Sequence, residues 1–432
     1  MRTGSRIRTL TLTLCALGLA ILPPSGRTPA QAQTLAPSAP RPVIQLAILL
    51  DTSGSMDGLI NQARTQLWSI VNEFTKATRD GRSPELQIAL YEYGNDGLPA
   101  AEGYLRQVLP LTTDLDKVSE KLFALTTNGG SEFCGQVIDV ATRRLVWDPA
   151  SATLKTIFIA GNEPFTQGGV DFRQACKGAI TKGITVNTIH CGGEQDGANS
   201  GWKDGALLGE GTYMAIDQGQ QTVAIPAPQD AELARLNAAL NATYLAFGPQ
   251  GSAGQTNQVA QDRNAMQASP SVAAARAATK ATANYSNATW DLVDATREGK
   301  VKVAELKAEE LPAPLQKLTP AERQAYIEKQ AAERTRLQGE IGTLAAARAH
   351  FIAAERKKHA GAGTTLESAI LTAVRQHATK QGYLFGEGAG PSAPREGAGP
   401  SAPREGAGPS APREGAGPSA PREGAGPSAP QK

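Results

Sequence analysis

The sequence predicts an α/β fold with a doubly wound, mostly parallel sheet flanked by helices, then an α-helical region and a disordered repeat tail. Three observations point there. Residues 43–50 form a short, nearly continuous apolar run, the pattern of a strand buried on both faces of a parallel sheet. Strand-like and helix-like segments then alternate over residues 43–225, as in an open sheet with helices on both faces. From residue 229 only helical periodicity remains, and from Gly388 a nine-residue unit repeats.

Each element has a local cause. After the first strand, Leu59, Ala63, Leu67, Ile70, Val71 and Phe74 recur at helical spacing within residues 58–77. Residues 85–93 and 105–111 are strands joined by a Gly-, Asn- and Asp-rich turn, which suits an antiparallel pair. A helical segment at 115–125, a break at Gly129-Gly130-Ser131 and a helix at 133–147 follow. Strands at 154–160 and 184–189 flank a helix at 171–182. A Gly-rich loop, a short helix at 202–208 and a strand at 213–216 complete the unit.

The region 229–386 opens with Leu233, Leu236, Leu240 and Leu245 on one stripe of a helix at 230–247. Residues 273–295 read as an Ala-rich helix carrying Trp290, Leu292 and Val293. Thr319, Pro320 and Glu322 start a long helix that runs to about residue 358. Its Leu337, Ile341, Leu344 and Phe351 make a partial heptad, which serves either packing on the first domain or a coiled-coil partner. A final capped helix spans residues 366–381.

The ends are of another kind. Arg2, Arg6 and Arg8, the apolar run 10–22 and the small-x-small site Ala30-Gln31-Ala32 predict a signal peptide over residues 1–32. The product would be periplasmic or secreted, with no integral membrane segment after cleavage. Residues 33–42 are a Pro-, Ala- and Ser-rich linker. Residues 387–432, with repeats starting at Gly388, Gly397, Gly406 and Gly415, lack the apolar period a core needs and are expected to be disordered.

With 432 residues the chain has room for two domains plus linkers. Charged residues are 19% and the net charge is +2, so no basic field calls for nucleic acid. No CxxC or Cys/His cluster suits zinc. Among Cys134, Cys176 and Cys191, export would permit one bridge, from Cys191 to either of the others; three buried thiols are the alternative.

The chemistry sits in Asp51-Thr52-Ser53-Gly54-Ser55-Met56. This run follows the first strand and precedes the first helix, at the sheet edge where open α/β folds bind ligands. One carboxylate and two hydroxyls are hard oxygen donors, suited to Mg²⁺ or Ca²⁺. An enzyme fits poorly. A serine hydrolase wants Gly-x-Ser-x-Gly, and an aspartyl-phosphate enzyme wants an acid where Ser53 stands.

The stretch from Val43 to Asp217 resembles a von Willebrand factor A domain, whose first metal-binding motif is matched by Asp51, Ser53 and Ser55. Runs around Gly130-Ser131-Glu132, Asn162-Glu163-Pro164, His190-Cys191-Gly192 and Trp290-Asp291-Leu292 resemble exported, mostly uncharacterised bacterial proteins of this family. The resemblance implies a metal-ion-dependent adhesion site with Ser131 as the fourth ligand. It implies a divalent cation, Mg²⁺ ahead of Ca²⁺ or Mn²⁺, and a protein partner presenting an acidic residue. The family's closing Asp falls on Gly161, with Asn162 or Glu163 as the nearest substitutes. A structural envelope scaffold without functional metal is the competing expectation.

Overall fold

The apolar run becomes β1 (Val43–Asp51), and α1 (Asp57–Thr75) carries the chain back along the sheet. A two-residue strand β2 (Ala77–Thr78) precedes β3 (Glu85–Tyr93), from which β4 (Leu105–Thr112) turns back. Helices α2 (Leu115–Ala124) and α3 (Cys134–Arg144) lead to β5 (Leu154–Gly161), and α4 (Phe172–Thr181) leads to β6 (Ile184–Cys191). Short helices α5 (Glu194–Asn199) and α6 (Trp202–Leu208) lead to β7 (Glu210–Ile216). The sheet order is β4-β3-β1-β5-β6-β7, parallel throughout except for β4. β1 lies between β3 and β5, so connections diverge at its carboxyl end, the switch point of an open sheet. The computed structural model describes residues 41–219, 225–358 and 365–385. The expected signal peptide, nearly all of the linker and the repeat tail lie outside them.

Both faces of β1 are used. Ile44, Leu46 and Leu50 join the core beneath α1, while Ala47 and Leu49 join the core against α3, α4 and α6. This explains why the strand reads as a continuous apolar run rather than an alternating one.

The second half of the chain adds a layer over α1 and α2. It comprises α7 (Asp230–Asn241), α8 (Gly251–Ala268), α9 (Pro270–Lys280), α10 (Leu292–Arg297), α11 (Ala313–Gln316), α12 (Pro320–Lys358) and α13 (Leu366–Lys380), ending in β8 (Leu384–Phe385). α9 and α13 pack on α1, α8 packs on α2, and α12 packs on α7 and α9. Leu337 and Ile341 of the partial heptad are buried in the same core as Leu233, Leu236 and Leu240. β8 pairs antiparallel with β2, and the Tyr383 hydroxyl donates to the Val43 carbonyl at 3.2 Å.

Buried charge fixes this layer in place. The Arg276 guanidinium, 1% exposed, lies over the Trp68 ring at 4.7 Å. It donates to Asp116 and Asp262, each at 2.6 Å, and to the Gln258 carbonyl at 3.1 Å. Tyr285 closes the second oxygen of Asp116 at 2.6 Å. Burial alone would raise Asp262, yet Lys280 and Arg276 beside it hold its carboxyl well below the usual range. A second set lies within the helical layer: Arg334 donates to Asp291, Asp294 and the Thr243 carbonyl and stacks 3.9 Å from the Tyr244 ring.

The structure departs from the sequence expectations at three points. The helix expected over 273–295 is two helices with a turn between them. α9 starts where Ser269 caps it and Pro270 opens it, and ends at Lys280; α10 begins after the Asp291 cap. α8 was not anticipated, because its apolar residues form no clear stripe. Its Gly254 faces Trp290 so closely that a Cβ would fall 2.3 Å from the ring. The bridge expected from Cys191 is not formed. All three thiols are free and buried, and Cys191 packs in the α1-side core while Cys134 and Cys176 pack in the other.

Arg276→Ala leaves the buried Asp116 without its cation and Asp262 with Lys280 alone, and should cost about 3–5 kcal/mol in urea unfolding. Arg143→Ala, which breaks an exposed pair on α3, should leave urea unfolding nearly unchanged. Alkylation of the folded chain should leave Cys134, Cys176 and Cys191 unmodified until denaturant is added; resistance that persists in denaturant would mean a bridge.

Candidate metal centre

β1 ends on Asp51, which is fully buried and stands level with Tyr93 of β3 in the sheet register. The loop that follows is held from several sides. The Thr52 amide donates to the Tyr93 carbonyl at 2.8 Å, and the Thr52 carbonyl accepts from the Asn128 amide at 3.0 Å and from Asn95 Nδ2 at 3.4 Å. The Ser53 amide donates to Asp51 Oδ1 at 2.8 Å, which orients the carboxylate. Its other oxygen, Oδ2, is buried without a hydrogen-bond partner, as is the Ser53 hydroxyl.

The remaining expected ligands arrive from other loops. Ser55 is exposed, and its hydroxyl accepts from Asn162 Nδ2 at 3.1 Å. Ser131 is half-buried on the loop between α2 and α3. That loop lies so close to the end of β3 that a Cβ on Gly130 would fall 1.6 Å from the Gly94 carbonyl oxygen. Only glycine permits this approach, which explains the Gly129-Gly130 break before Ser131. The same loop touches the ligand turn, since a Cβ on Gly54 would sit 3.3 Å from the Gly129 amide. The structure thus brings Asp51 and Ser53 together, ties Ser55 to Asn162, and docks the Ser131 loop alongside.

The missing acid at Gly161 has a steric reason. A Cβ there would lie 2.5 Å from the Tyr93 hydroxyl and 2.9 Å from Asp51 Oδ2. Tyr93 is fully buried, donates to the Ala160 carbonyl at 3.0 Å, and occupies the space an Asp would need. Asn162 reaches the site instead, with Oδ1 buried and unpartnered.

Glu132, which the sequence reading passed over as a site residue, is the surprise. It is 5% exposed, and a Cβ on Gly94 would meet Glu132 Cγ at 2.9 Å and Asp51 Oδ1 at 2.8 Å, so both acids crowd one point. Gln167 accepts the Glu132 amide and donates to Glu163, each at 3.3 Å. Burial pushes Asp51 up to about 6 against the pull of the Ser53 amide. Burial, with Asp51 and Glu163 nearby, pushes Glu132 up to about 7. The signal available in the sequence was an acid directly after a ligand serine in a glycine loop.

Hard oxygens dominate this donor set, and several of them are buried with nothing to bond. That fits Mg²⁺ or a similar cation better than a soft metal. Among the described residues no three His, Cys, Asp or Glu side chains group to hold a metal, so any ion here relies on hydroxyl and amide oxygens as well. No helix among the described residues is long and apolar enough to cross a membrane.

Comparison with known proteins agrees with the architecture. The family model described as von Willebrand factor type A domain matches residues 45–200. No curated protein matches the chain. Among solved structures, the conserved hypothetical protein BatB from Bacteroides thetaiotaomicron is 17% identical, covering 40% of this chain and 90% of its own, with a TM-score of 0.32. The von Willebrand factor domain of the type V pili tip protein Mfa5 from Porphyromonas gingivalis is 13% identical, covering 41% and 90%, with a TM-score of 0.30. The SpRpn10 von Willebrand factor A domain is 16% identical, covering 41% and 90%, with a TM-score of 0.32. Residues 45–200 of the chain are thus similar to a von Willebrand factor type A domain.

Proposed function

We propose that this protein is an extracytoplasmic receptor for another protein. Asp51, Ser53, Ser55 and Ser131 hold one divalent cation, Mg²⁺ ahead of Ca²⁺ or Mn²⁺, and an Asp or Glu of the partner completes its shell. Residues 43–225 form the binding head, and the helices of 229–386 buttress it from the side away from α3 and α4. The observation that carries this reading is the pair of buried, unpartnered oxygens, Asp51 Oδ2 and Ser53 Oγ, at the carboxyl edge of the sheet. A bound cation would satisfy both and offer an incoming carboxylate a charge-assisted bond.

In this scheme the chain's residues do most of the work beforehand. The Ser53 amide fixes the Asp51 carboxylate, Asn162 steadies the Ser55 hydroxyl, and the close contact of Gly130 with Gly94 sets the Ser131 loop. Little needs to reorganise when the ion enters.

Ion and partner should bind with positive coupling, each tightening the other by the same factor. Calorimetry of both legs checks this. Asp51→Ala should abolish the coupling, and partner binding that is equal in chelator would leave the domain a scaffold only.

Proton linkage gives a second check that needs no partner. Without the ion, the folded pKa of Asp51 stands near 6, above the 3.8 of an exposed Asp, so the ionised carboxylate costs folding free energy above about pH 6. That cost fades as pH falls through 6 toward 4. In chelator, Asp51→Asn should therefore be more stable than wild type at pH 7.5, by up to roughly 3 kcal/mol, with the gap about halved at pH 5 and closed below about pH 4. Taking the difference between the two proteins removes His190 and His377, whose burial-lowered pKa values act in the opposite direction. Equal stability at pH 7.5 would contradict the buried, uncompensated carboxylate.

A further inference from the structure

We infer that Glu132 is a second anionic ligand of the same cation, delivered by the Ser131 loop in place of the acid that Gly161 cannot supply. The inference rests on the adhesion-site reading above and concerns a residue outside the family's motif.

Position comes first. A Cβ on Gly94 would lie 2.8 Å from Asp51 Oδ1 and 2.9 Å from Glu132 Cγ, so the Asp51 carboxylate and the Glu132 side chain flank the same glycine at the carboxyl edge of the sheet. Gly94 has a φ of 79°, and its lack of a side chain is what lets both groups come so close. Charge comes second. Asp51 is fully buried and Glu132 nearly so, and among the described residues no ion pair joins Asp51, Glu132 or Glu163 to a Lys, Arg or His. The other buried acids among the described residues do have such partners: Asp116 has Arg276, Asp291 and Asp294 have Arg334, Glu92 has Arg106, Glu73 has Arg375, Asp230 has Arg348 and Glu367 has Arg356. Two crowded carboxylates away from water repel unless a cation lies between them.

The third observation is independent of the acids. The Ser53 hydroxyl, 3% exposed, is buried and unpartnered beside Asp51, so an unused neutral donor lies at the same place. Two carboxylates with hydroxyl and amide oxygens make a hard, twice-negative set that matches a divalent ion in charge. Glu132 also has little freedom to leave. Its amide is held by Gln167, and the preceding glycine is wedged against Gly94.

With both acids engaged, the ion binds before any partner arrives. Mn²⁺ or Mg²⁺ titrated calorimetrically into the purified chain, with no partner present, tests this on wild type, Asp51→Ala, Glu132→Gln and Glu132→Asp. Glu132→Gln should weaken ion binding on the order of 10–100-fold. In chelator it should melt higher than wild type, because the repulsion is gone, while ion addition raises its melting temperature less. Glu132→Asp, which keeps the charge, should bind better than Glu132→Gln. A Glu132→Gln chain that binds the ion like wild type, while Asp51→Ala does not, removes Glu132 from the shell and leaves the adhesion site standing. A wild-type chain that binds neither ion sinks both readings.

Discussion

The Arg276 guanidinium is the constraint on which the arrangement of the two halves depends. It comes from the helical half, lies across Trp68 of α1, and bonds to Asp116 of α2. A charge with 1% exposure cannot slide to a neighbouring position without losing every compensating bond at once. Apolar contacts among α1, α7 and α9 would tolerate small shifts of register; this ion network does not. Asn72 and Thr279 add a further pair of bonds across the same junction, Asn72 Nδ2 to the Ala275 carbonyl at 2.8 Å and the Thr279 hydroxyl to Asn72 Oδ1 at 2.9 Å. α1, the helix that starts at the ligand turn, is thereby clamped between the sheet and the second half of the chain.

That clamp bears on the site. α1 begins at Asp57, two residues after Ser55, so fixing its body fixes the turn that carries the serines. From the other side, Thr52 and Asn95 tie the turn to β3 and to the loop after α2. The turn is therefore held from both sides around the buried Asp51 and Glu132 side chains. A flexible loop would let them separate into water; here the surroundings hold them together at a cost in stability.

The strands, the switch-point position of Asp51 and the Gly129-Gly130 break were legible in the sequence because each reflects a local rule. A strand buried on two faces reads as apolar throughout, open sheets place their ligand sites beyond the carboxyl ends of strands at the switch point, and a loop in close backbone contact needs glycine. What escaped was set by distant partners. Glu132 reads as an ordinary surface acid until Gly94 and Asp51 are placed beside it. The Ala-rich stretch looked continuous because its interruption depends on Ser269 and Asp291 as caps and on Asp291 serving Arg334. The absence of an acid at Gly161 was visible, but its cause, Tyr93 from another strand, was not.

The pairing of β8 with β2, and of Tyr383 with Val43, also sets how the molecule can be mounted. The described chain enters the body at the amino end of β1 and, at β8, returns to the same end. Asp51 lies at the opposite end of that strand, roughly 25 Å away at 3.3 Å per residue. A tether fixed where the described chain enters or leaves the body, at residue 41 or residue 385, would hold it by the end remote from Asp51. A body gripped at those two points presents the Asp51 turn the way a socket presents its opening.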